Sequence, residues 1–147
     1  MTFRPATPAD TVVLRQMMAT SNGYDRPAAR AMIERFSAGW VVPEMGHEIW
    51  LLEENGEAAG FYQLIPHGRD QELDLFFTAD AFQGRGVGRR LFEHMLERAG
   101  LLSAETVIIK SNPEAADFYR RMGAIDIGVD PPGQEITWER PTLARPL

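Results

Sequence analysis

The chain has 147 residues, of which 44% are hydrophobic and 24% are charged, and its formal net charge is −6. These values predict one globular domain over residues 1–147 and argue against a general nucleic-acid-binding surface, because polyanion binding needs a basic face. The lack of cysteine excludes disulfides and thiolate catalysis, and no segment resembles a membrane span or a signal peptide, so a cytoplasmic location away from membranes is expected.

The first third of the chain predicts one short strand and two amphipathic helices. The strand covers residues 3–6, Thr7 then caps a helix with a proline in its first turn, and a second helix runs from near Pro27 to Gly39. Apolar residues recur at helical spacing, so one face of each helix should pack on the core. The residues expected to face inward are Val13, Leu14, Met17 and Met18 on the first helix and Ala29, Met32, Ile33 and Phe36 on the second.

The middle of the chain predicts three antiparallel strands in a meander. Apolar runs at residues 47–53 and 58–66 flank Asn55-Gly56, a dipeptide that favours a two-residue hairpin turn. A second turn at residues 66–70 leads into a third strand at residues 71–78. Each strand should therefore lie beside the one that precedes it.

A glycine-rich stretch at residues 83–88 separates this third strand from an amphipathic helix. The helix covers residues 89–99, and Gly100 is expected to end it. The next strand, residues 106–110, is reached through that helix, so it should lie parallel to the strand at residues 71–78.

The remainder of the chain predicts one more helix and the end of the sheet. Asn112 and Pro113 begin the helix and Gly123 ends it. Residues 124–128 and 135–139 are expected to form a hairpin, and residues 140–147, which contain two prolines, to lie over the surface. The order of elements predicts an α/β (α+β) fold with a parallel pair of strands in the middle of the sheet.

The glycine turn, Gln83-Gly84-Arg85-Gly86-Val87-Gly88, is the most informative functional signal. Its backbone N–H groups lie at the positive end of a helix dipole, where they suit a phosphate or diphosphate. Arginines in and after the turn make it locally basic in an acidic chain, which favours a small anionic ligand. The spacing fits neither a Walker A loop, which needs a lysine, nor a dinucleotide-binding fingerprint.

Two motifs together resemble the GNAT superfamily of acyl-CoA-dependent N-acyltransferases. They are Gln83-x-x-Gly86-x-Gly88 after a strand and, one strand later, Asn112-x-x-Ala115-x-x-Phe118-Tyr119-x-x-x-Gly123. The resemblance covers most of the chain and looks like small bacterial members whose substrates are mostly unassigned. It implies a mixed sheet with an antiparallel meander and a central splayed parallel pair, flanked by about four helices.

The resemblance implies acetyl-CoA (coenzyme A) as the cofactor, with its diphosphate on the glycine turn and its pantetheine arm along the strand at residues 71–78. Thr78 and Asp80 depart from the family pattern, in which a small aliphatic residue and a nearby proline are frequent. Backbone atoms make most of these contacts, so the departures weigh little. Asn112 fits a contact to the arm and equally a simple role as helix N-cap. The residues implied in binding are Phe77, Thr78, Gln83, Gly84, Arg85, Gly86, Val87, Gly88, Arg89 and Asn112.

Three side chains are candidates for the chemistry of transfer. Tyr119 stands where many family members carry the tyrosine that protonates the leaving thiolate, and its alternative role is that of a core aromatic. Glu72 or Asp74, on one face of a strand, is the candidate base for the amine, directly or through water; otherwise each belongs to a solvated or ion-paired strand face. The backbone N–H of Phe77 is a candidate donor to the oxyanion.

The sequence leaves the acceptor open. Tyr24 and Trp40, in loop-like settings, are expected to bind it, because the first helices and the meander flank the acceptor side in this family. The leading hypothesis is direct acetyl transfer to a small-molecule amine in a ternary complex. The alternatives are acetylation of a protein or peptide, or a non-catalytic acyl-CoA-binding protein of the same fold. A homodimer is compatible with the family, and no metal, nucleic acid or membrane is expected as a partner.

Overall fold

A computed structural model describes all residues of the chain, 1–147. The strands are β1 (Thr2–Pro5), β2 (Glu48–Glu54), β3 (Glu57–His67), β4 (Asp70–Thr78), β5 (Thr106–Lys110), β6 (Ile125–Asp130) and β7 (Arg140–Pro146). The α-helices are α1 (Thr11–Ala19), α2 (Pro27–Gly39), α3 (Val87–Leu101) and α4 (Ala116–Arg121). The longest helix, α3, has 15 residues, and none of the helices combines the length and apolar composition that a membrane span needs.

The seven strands form one mixed sheet in the order β1-β2-β3-β4-β5-β7-β6. β4 and β5 are parallel, with Gln71 opposite Val107 and Glu72 opposite Ile108. β7 is antiparallel to both of its neighbours, β5 and β6. The predicted α/β sheet with a parallel pair in its middle is therefore confirmed.

The predicted hairpin between β2 and β3 is confirmed, and its turn has the expected backbone. Asn55 and Gly56 have φ angles of 53° and 78°. A two-residue turn of type I′ requires positive φ at both positions, and Asn-Gly supplies it at least steric cost. This turn sets the register of β3 against β2.

The chain divides into two compact units. Unit 1 comprises residues 1–63 and 75–91, and unit 2 comprises residues 64–74 and 92–147. The core of unit 1 gathers α1, α2 and the meander strands around Leu14, Met18, Ile33, Phe61 and Phe77.

Two residues predicted to face the core of unit 1 are instead exposed. Val13 is 51% exposed, because α1 buries the face formed by Leu14, Met17 and Met18, and Val13 lies about 100° around the helix from Leu14. Phe36 is 38% exposed, because Ser37, which is 3% exposed, continues the buried stripe of α2. The hydroxyl of Ser37 donates to the carbonyl of Glu34 at 3.2 Å, so burial leaves it hydrogen-bonded.

The ends of α3 and α4 share one capping arrangement. After α4, the N–H of Ala124 donates to the carbonyl of Tyr119 and that of Gly123 donates to Arg120, and Gly123 has a φ of 95°. This is the Schellman motif, so the predicted stop at Gly123 is confirmed. The stop predicted at Gly100 is wrong: α3 continues through Leu101, and Ser103, with a φ of 63°, takes the left-handed position.

The last strand is where the sequence prediction was wrong. Residues 135–139 form no strand, and residues 140–146, expected to lie over the surface, form β7 between β5 and β6. The prolines stand near the two ends of β7, where a missing N–H removes few ladder bonds. Leu143, midway between them, is fully buried, and its burial stabilises the strand in the sheet.

Candidate functional site

The glycine turn precedes the first hydrogen bond of α3. That bond joins the N–H of Arg90 to the carbonyl of Gly86 at 3.2 Å, so the amides of Val87 and Gly88 come before the ladder. Gly84 and Gly86 have φ angles of 76° and 75°, and a Cβ atom on either would meet nothing within 4 Å. The turn therefore needs glycine for its backbone conformation and offers an open surface to an anion.

The side chains of the turn point to neighbours in unit 1. Arg85 forms an ion pair of 2.5 Å with Glu54, and its guanidinium carbon lies 5.0 Å from the centre of the Phe82 ring. The N–H of Gln83 donates to the carbonyl of Asp80 at 3.2 Å. Arg85 and Gln83 thus form protein contacts in this structure, whereas the amides of Val87 and Gly88 come before the hydrogen-bond ladder of α3.

A glycine that the sequence analysis did not single out lies beneath the turn. A Cβ atom on Gly60 of β3 would come within 2.8 Å of the Phe77 carbonyl oxygen and 3.3 Å of Val87 Cγ1. Gly60 therefore permits the close approach of β3 to both β4 and the start of α3. The signal that could have found it is a lone glycine inside a strand pattern.

The predicted acceptor-site aromatics join the predicted donor strand in one cluster of unit 1. The rings of Tyr24 and Phe77 stack with centres 5.5 Å apart, and those of Phe61 and Phe77 with centres 5.7 Å apart. Trp40 meets Phe61 at 5.7 Å. Tyr24 and Trp40 are partly exposed, whereas Phe61 and Phe77 are buried, so the two partly exposed rings are the ones able to meet a ligand.

The two candidate carboxylates lie on β4 in unit 2, separated by the buried Leu73. Partial burial raises the pKa of the Asp74 carboxyl above its ordinary value, and the neighbouring Glu72 carboxylate acts in the same direction. The cations Arg140 and Lys110 oppose this rise in pKa. A carboxylate with a raised pKa holds a proton better, which suits a general base.

His67 was not predicted as a site residue, yet it lies beside one of these carboxylates. Its Nδ1 atom is 3.4 Å from Oε1 of Glu72. The Glu72 side chain is only 15% exposed, whereas that of His67 is 45% exposed. His67 is the last residue of β3 and Glu72 lies near the start of β4, so the pair forms across the turn between these two strands.

Tyr119 and Asn112 are also in unit 2. Tyr119 is buried on α4, with its ring centre 6.1 Å from that of Phe92 and 5.5 Å from that of Phe118. Asn112 precedes the 3-10 turn Pro113–Ala115 and makes no side-chain capping hydrogen bond. Its carbonyl instead accepts the N–H of Ala115 at 2.9 Å and the hydroxyl of Ser111 at 2.7 Å.

The predicted site residues are thus distributed over both units. Unit 1 brings together the glycine turn and Arg89, the strand end at Phe77 and Thr78, and the aromatic residues Tyr24 and Trp40. Unit 2 contains Glu72, Asp74, Asn112 and Tyr119. The residues predicted to bind the donor and the acceptor are therefore mostly in unit 1, and the candidates for acid–base chemistry are in unit 2.

Comparison with known proteins assigns a family to this arrangement. The model of the acetyltransferase (GNAT) domain matches residues 45–123, which is more than half of the chain. The matched range includes the glycine turn, both carboxylates, Asn112 and Tyr119. The acceptor-side Tyr24 and Trp40 precede it.

Two relatives of known activity align with the chain. A 5-NmdU N-acetyltransferase of Pseudomonas phage PaMx11 is 31% identical over 90 residues, which cover 60% of this chain and 59% of the relative, less than two thirds of its length. The peptidyl-lysine N-acetyltransferase YjaB of Salmonella typhimurium is 27% identical over 112 residues, covering 76% of this chain and 71% of that relative. The acceptors in these two names differ, although the alignments both cover most of the chain.

Solved structures share the fold at low sequence identity. A GCN5-related N-acetyltransferase from Rhodopseudomonas palustris superposes with a TM-score of 0.77 at 18% identity, over 99% of this chain and 95% of that one. A GNAT acetyltransferase from Elizabethkingia anophelis with acetyl-CoA bound gives 0.71 at 18% identity, over 99% and 97%. Members of the family thus bind acetyl-CoA, which is the acetyl donor and hence a substrate rather than the cofactor that the sequence analysis named. Sequence, fold and family model agree, and the chain belongs to the acetyltransferase (GNAT) domain family.

Proposed function

We propose that this chain is an acetyl-CoA-dependent N-acetyltransferase that transfers the acetyl group directly to the amine of a small molecule within a ternary complex. The observation that carries the proposal is the glycine turn at the start of α3, whose left-handed glycines leave an open, amide-lined surface. Membership of the GNAT family makes the diphosphate of coenzyme A the natural anion for that surface.

Donor binding is assigned mainly to backbone groups. In this proposal the amides of residues 84–89 hold the diphosphate, and Gln83 keeps its hydrogen bonds to Asp80 and supports the start of the turn. Phe77 and Thr78 pair with the pantetheine arm as an added strand would, and Asn112 forms a hydrogen bond with the arm. Backbone recognition is consistent with the departures at Thr78 and Asp80, since it does not depend on side-chain identity.

Removal of the amine proton is assigned to a carboxylate of β4. An alkyl ammonium with a pKa of about 10.4 is almost fully protonated at neutral pH and cannot attack a thioester until it loses a proton. Asp74 is favoured by the rise of its pKa, and Glu72 is favoured by its shielded position beside His67. Either takes the proton directly or through water, and the amine nitrogen then bonds to the thioester carbon.

Protonation of the leaving thiolate is assigned to Tyr119. As the tetrahedral intermediate collapses, the carbon–sulfur bond breaks and the phenolic proton passes to the sulfur. The backbone N–H of Phe77 is the proposed donor to the oxyanion of that intermediate. The protons balance, because the nitrogen loses two: the carboxylate takes the first from the ammonium and passes it to solvent, and the second leaves as the tetrahedral intermediate becomes an amide. That second proton restores the tyrosine hydroxyl through solvent, so the products are an amide, a free thiol and one released proton.

Two classes of amine are candidates for the acetyl acceptor. A small amine is supported by the partly exposed Tyr24 and Trp40, whose rings favour a cationic or flat group. A lysine side chain of a protein is the second candidate, because one relative is named as a peptidyl-lysine N-acetyltransferase. Both candidates present a primary amine to the same chemistry.

The test uses the purified full chain in two steps. Calorimetric titration with acetyl-CoA should show saturable binding, and thiol release should then be measured with alkylamines, arylamines, amine-bearing nucleosides and lysine peptides. A variant with both Glu72→Gln and Asp74→Asn is the control, since it should bind acetyl-CoA and release no thiol. Absence of saturable binding would refute the donor assignment. Binding without thiol release from any acceptor class would favour the non-catalytic alternative.

A further inference from the structure

The segment between α1 and α2, residues 20–26, carries Tyr24 and is here called the Tyr24 loop. Arg30 of α2 fixes it from one side: its Nη2 atom donates to the Ser21 carbonyl at 2.6 Å and to Asp25 Oδ1 at 3.0 Å, and Nη1 donates to the Ala19 carbonyl. The two contacts with backbone carbonyls are partly buried, and the contact with Asp25 is exposed. Together they attach this side of the loop to α2.

The other side of the loop meets the segment that leads into the glycine turn. The ring of Tyr24 stacks on Phe77 at 5.5 Å, and the N–H of Asn22 donates to Oδ1 of Asp80 at 3.3 Å. The Asn22 bond is longer than those of Arg30 and is exposed to solvent. A long, exposed hydrogen bond of this kind adds little stability by itself. It holds the loop only while Asp80 stays in position to accept it.

Asp80 also bonds the first residue of the glycine turn. Its Oδ1 atom accepts Nε2 of Gln83 at 3.3 Å, and its carbonyl accepts the N–H of Gln83 at 3.2 Å. The same carboxylate oxygen therefore accepts one hydrogen bond from the Tyr24 loop and one from the glycine turn. All of these residues belong to unit 1.

We propose that Asp80 is a positioning residue that couples the glycine turn to the Tyr24 loop, so that a coenzyme A diphosphate on the turn orders the loop. This inference rests on the proposed function, because it requires donor binding at the turn. An anion held by the turn amides restricts the left-handed glycines, and with them Gln83 and Asp80. Asp80 Oδ1 then stays in place for the N–H of Asn22, and Tyr24 is held against Phe77.

The coupling has consequences for the direction and for the size of changes in binding affinity. Free energy is shared reciprocally between linked sites, so an acceptor that orders the Tyr24 loop raises donor affinity by the same factor. Because both bonds to Asp80 are exposed and 3.3 Å long, the effect belongs at the weak end of the usual range, about fivefold. Asp80 acts in this proposal through its two partners and touches neither reacting group.

The test is hydrogen exchange of the full chain, read by mass spectrometry with and without saturating coenzyme A. In the wild type, coenzyme A should slow exchange both in the glycine turn and, by about fivefold, in the Tyr24 loop. In Asp80→Ala the turn should still be protected while the loop is not. Asp80→Asn keeps an acceptor oxygen and should restore loop protection.

Two further variants separate coupling from a general structural effect. Asn22→Pro removes the donating N–H without touching Asp80; Ser21 has a ψ of 129°, which suits a following proline, and position 22 begins a 3-10 turn. It should uncouple the loop as Asp80→Ala does. Asp126→Ala removes an exposed aspartate paired with Arg120 in unit 2 and should leave both responses as in the wild type.

The outcomes distinguish this proposal from the proposed function. Loop protection that persists in Asp80→Ala and in Asn22→Pro would overturn the coupling while leaving donor binding intact. Loss of coenzyme A binding in Asp80→Ala would make Asp80 part of the donor site, and the coupling role would be wrong. If coenzyme A protects neither segment of the wild type and gives no heat of binding, the donor assignment itself fails.

Discussion

A Cβ atom added to Gly60 would lie 2.8 Å from the carbonyl oxygen of Phe77, a separation that real Cβ atoms essentially never show. The same atom would lie 2.5 Å from Cδ1 of Leu91 in α3. Leucine can turn its side chain aside, but the Phe77 carbonyl belongs to the backbone and cannot. Gly60 is therefore the point at which β3 fits against the strand and the helix on either side of the glycine turn.

Gly60→Ala should lower the free energy of unfolding by about 1 to 3 kcal/mol, as for other insertions into a packed region. Gly100→Ala is the matched control: a Cβ atom there meets nothing within 4 Å, and alanine favours the helix by up to about 1 kcal/mol. Urea denaturation of both variants measures the difference. Wild-type stability in Gly60→Ala would contradict the tight packing of β3 against the Phe77 carbonyl.

Gly86→Ala tests the glycine turn by changing its backbone conformation without adding a steric clash. Alanine at a φ of 75° is strained by about 1 to 2 kcal/mol, and no neighbour stands in the way of its methyl group. The turn should relax away from the conformation that presents its amides, so affinity for coenzyme A should fall about tenfold. Calorimetry measures this change. Gly128→Ala, which adds a methyl group in open space without a positive φ, should bind coenzyme A as the wild type does.

Asp74 makes the stability of the protein depend on pH in a direction that its raised pKa fixes. The folded state binds the Asp74 proton more readily than the unfolded state, so the favourable contribution is complete below the ordinary pKa of about 3.9. It is lost as the pH rises through the raised value. Asp74→Asn should therefore be more stable than the wild type at neutral pH and not in acid. Chemical denaturation at several pH values measures this, and equal stability at every pH would contradict it.

Glu72→Gln separates the two candidate bases by enzyme kinetics. If Asp74 is the base, removal of the Glu72 charge lowers the pKa of Asp74, because that charge is one cause of the rise. The acidic limb of the kcat/KM profile should then move to lower pH while turnover persists. If Glu72 is the base, turnover should instead be largely lost. A profile that neither moves nor falls would exclude both carboxylates.

Much of this fold could be predicted because short-range signals and the tertiary contacts agree. Asn55-Gly56 adopts the turn that its residues favour, and Gly123 ends α4 in the left-handed position that suits glycine. Where a short-range sequence signal conflicts with the tertiary contacts, the tertiary contacts determine the local structure. Ser103 takes the left-handed position although Gly100 is nearby, and β7 forms despite its prolines because Leu143 is buried.

The candidate site also combines features that are local in the sequence with features that depend on tertiary contacts. The glycine turn is a local motif, so its sequence predicts its conformation. The contacts of its neighbours are not local: Gly60 and Asp80 meet Phe77 and Asn22 only through the fold. Periodicity and spacing contain no information about such pairs, since each depends on how two elements are placed in three dimensions.

Tyr119→Phe tests the proposed acid with little effect on packing. The ring contacts with Phe92 and Phe118 do not require the hydroxyl, so the variant should fold and bind acetyl-CoA as the wild type does. Loss of a general acid should lower kcat by at least about 100-fold with the KM for acetyl-CoA little changed. Tyr62→Phe removes the same atom from a fully buried ring outside the proposed site and should leave kcat unaltered. Full turnover by Tyr119→Phe would make Tyr119 a core aromatic only, and the thiolate would then leave unprotonated or take its proton from water.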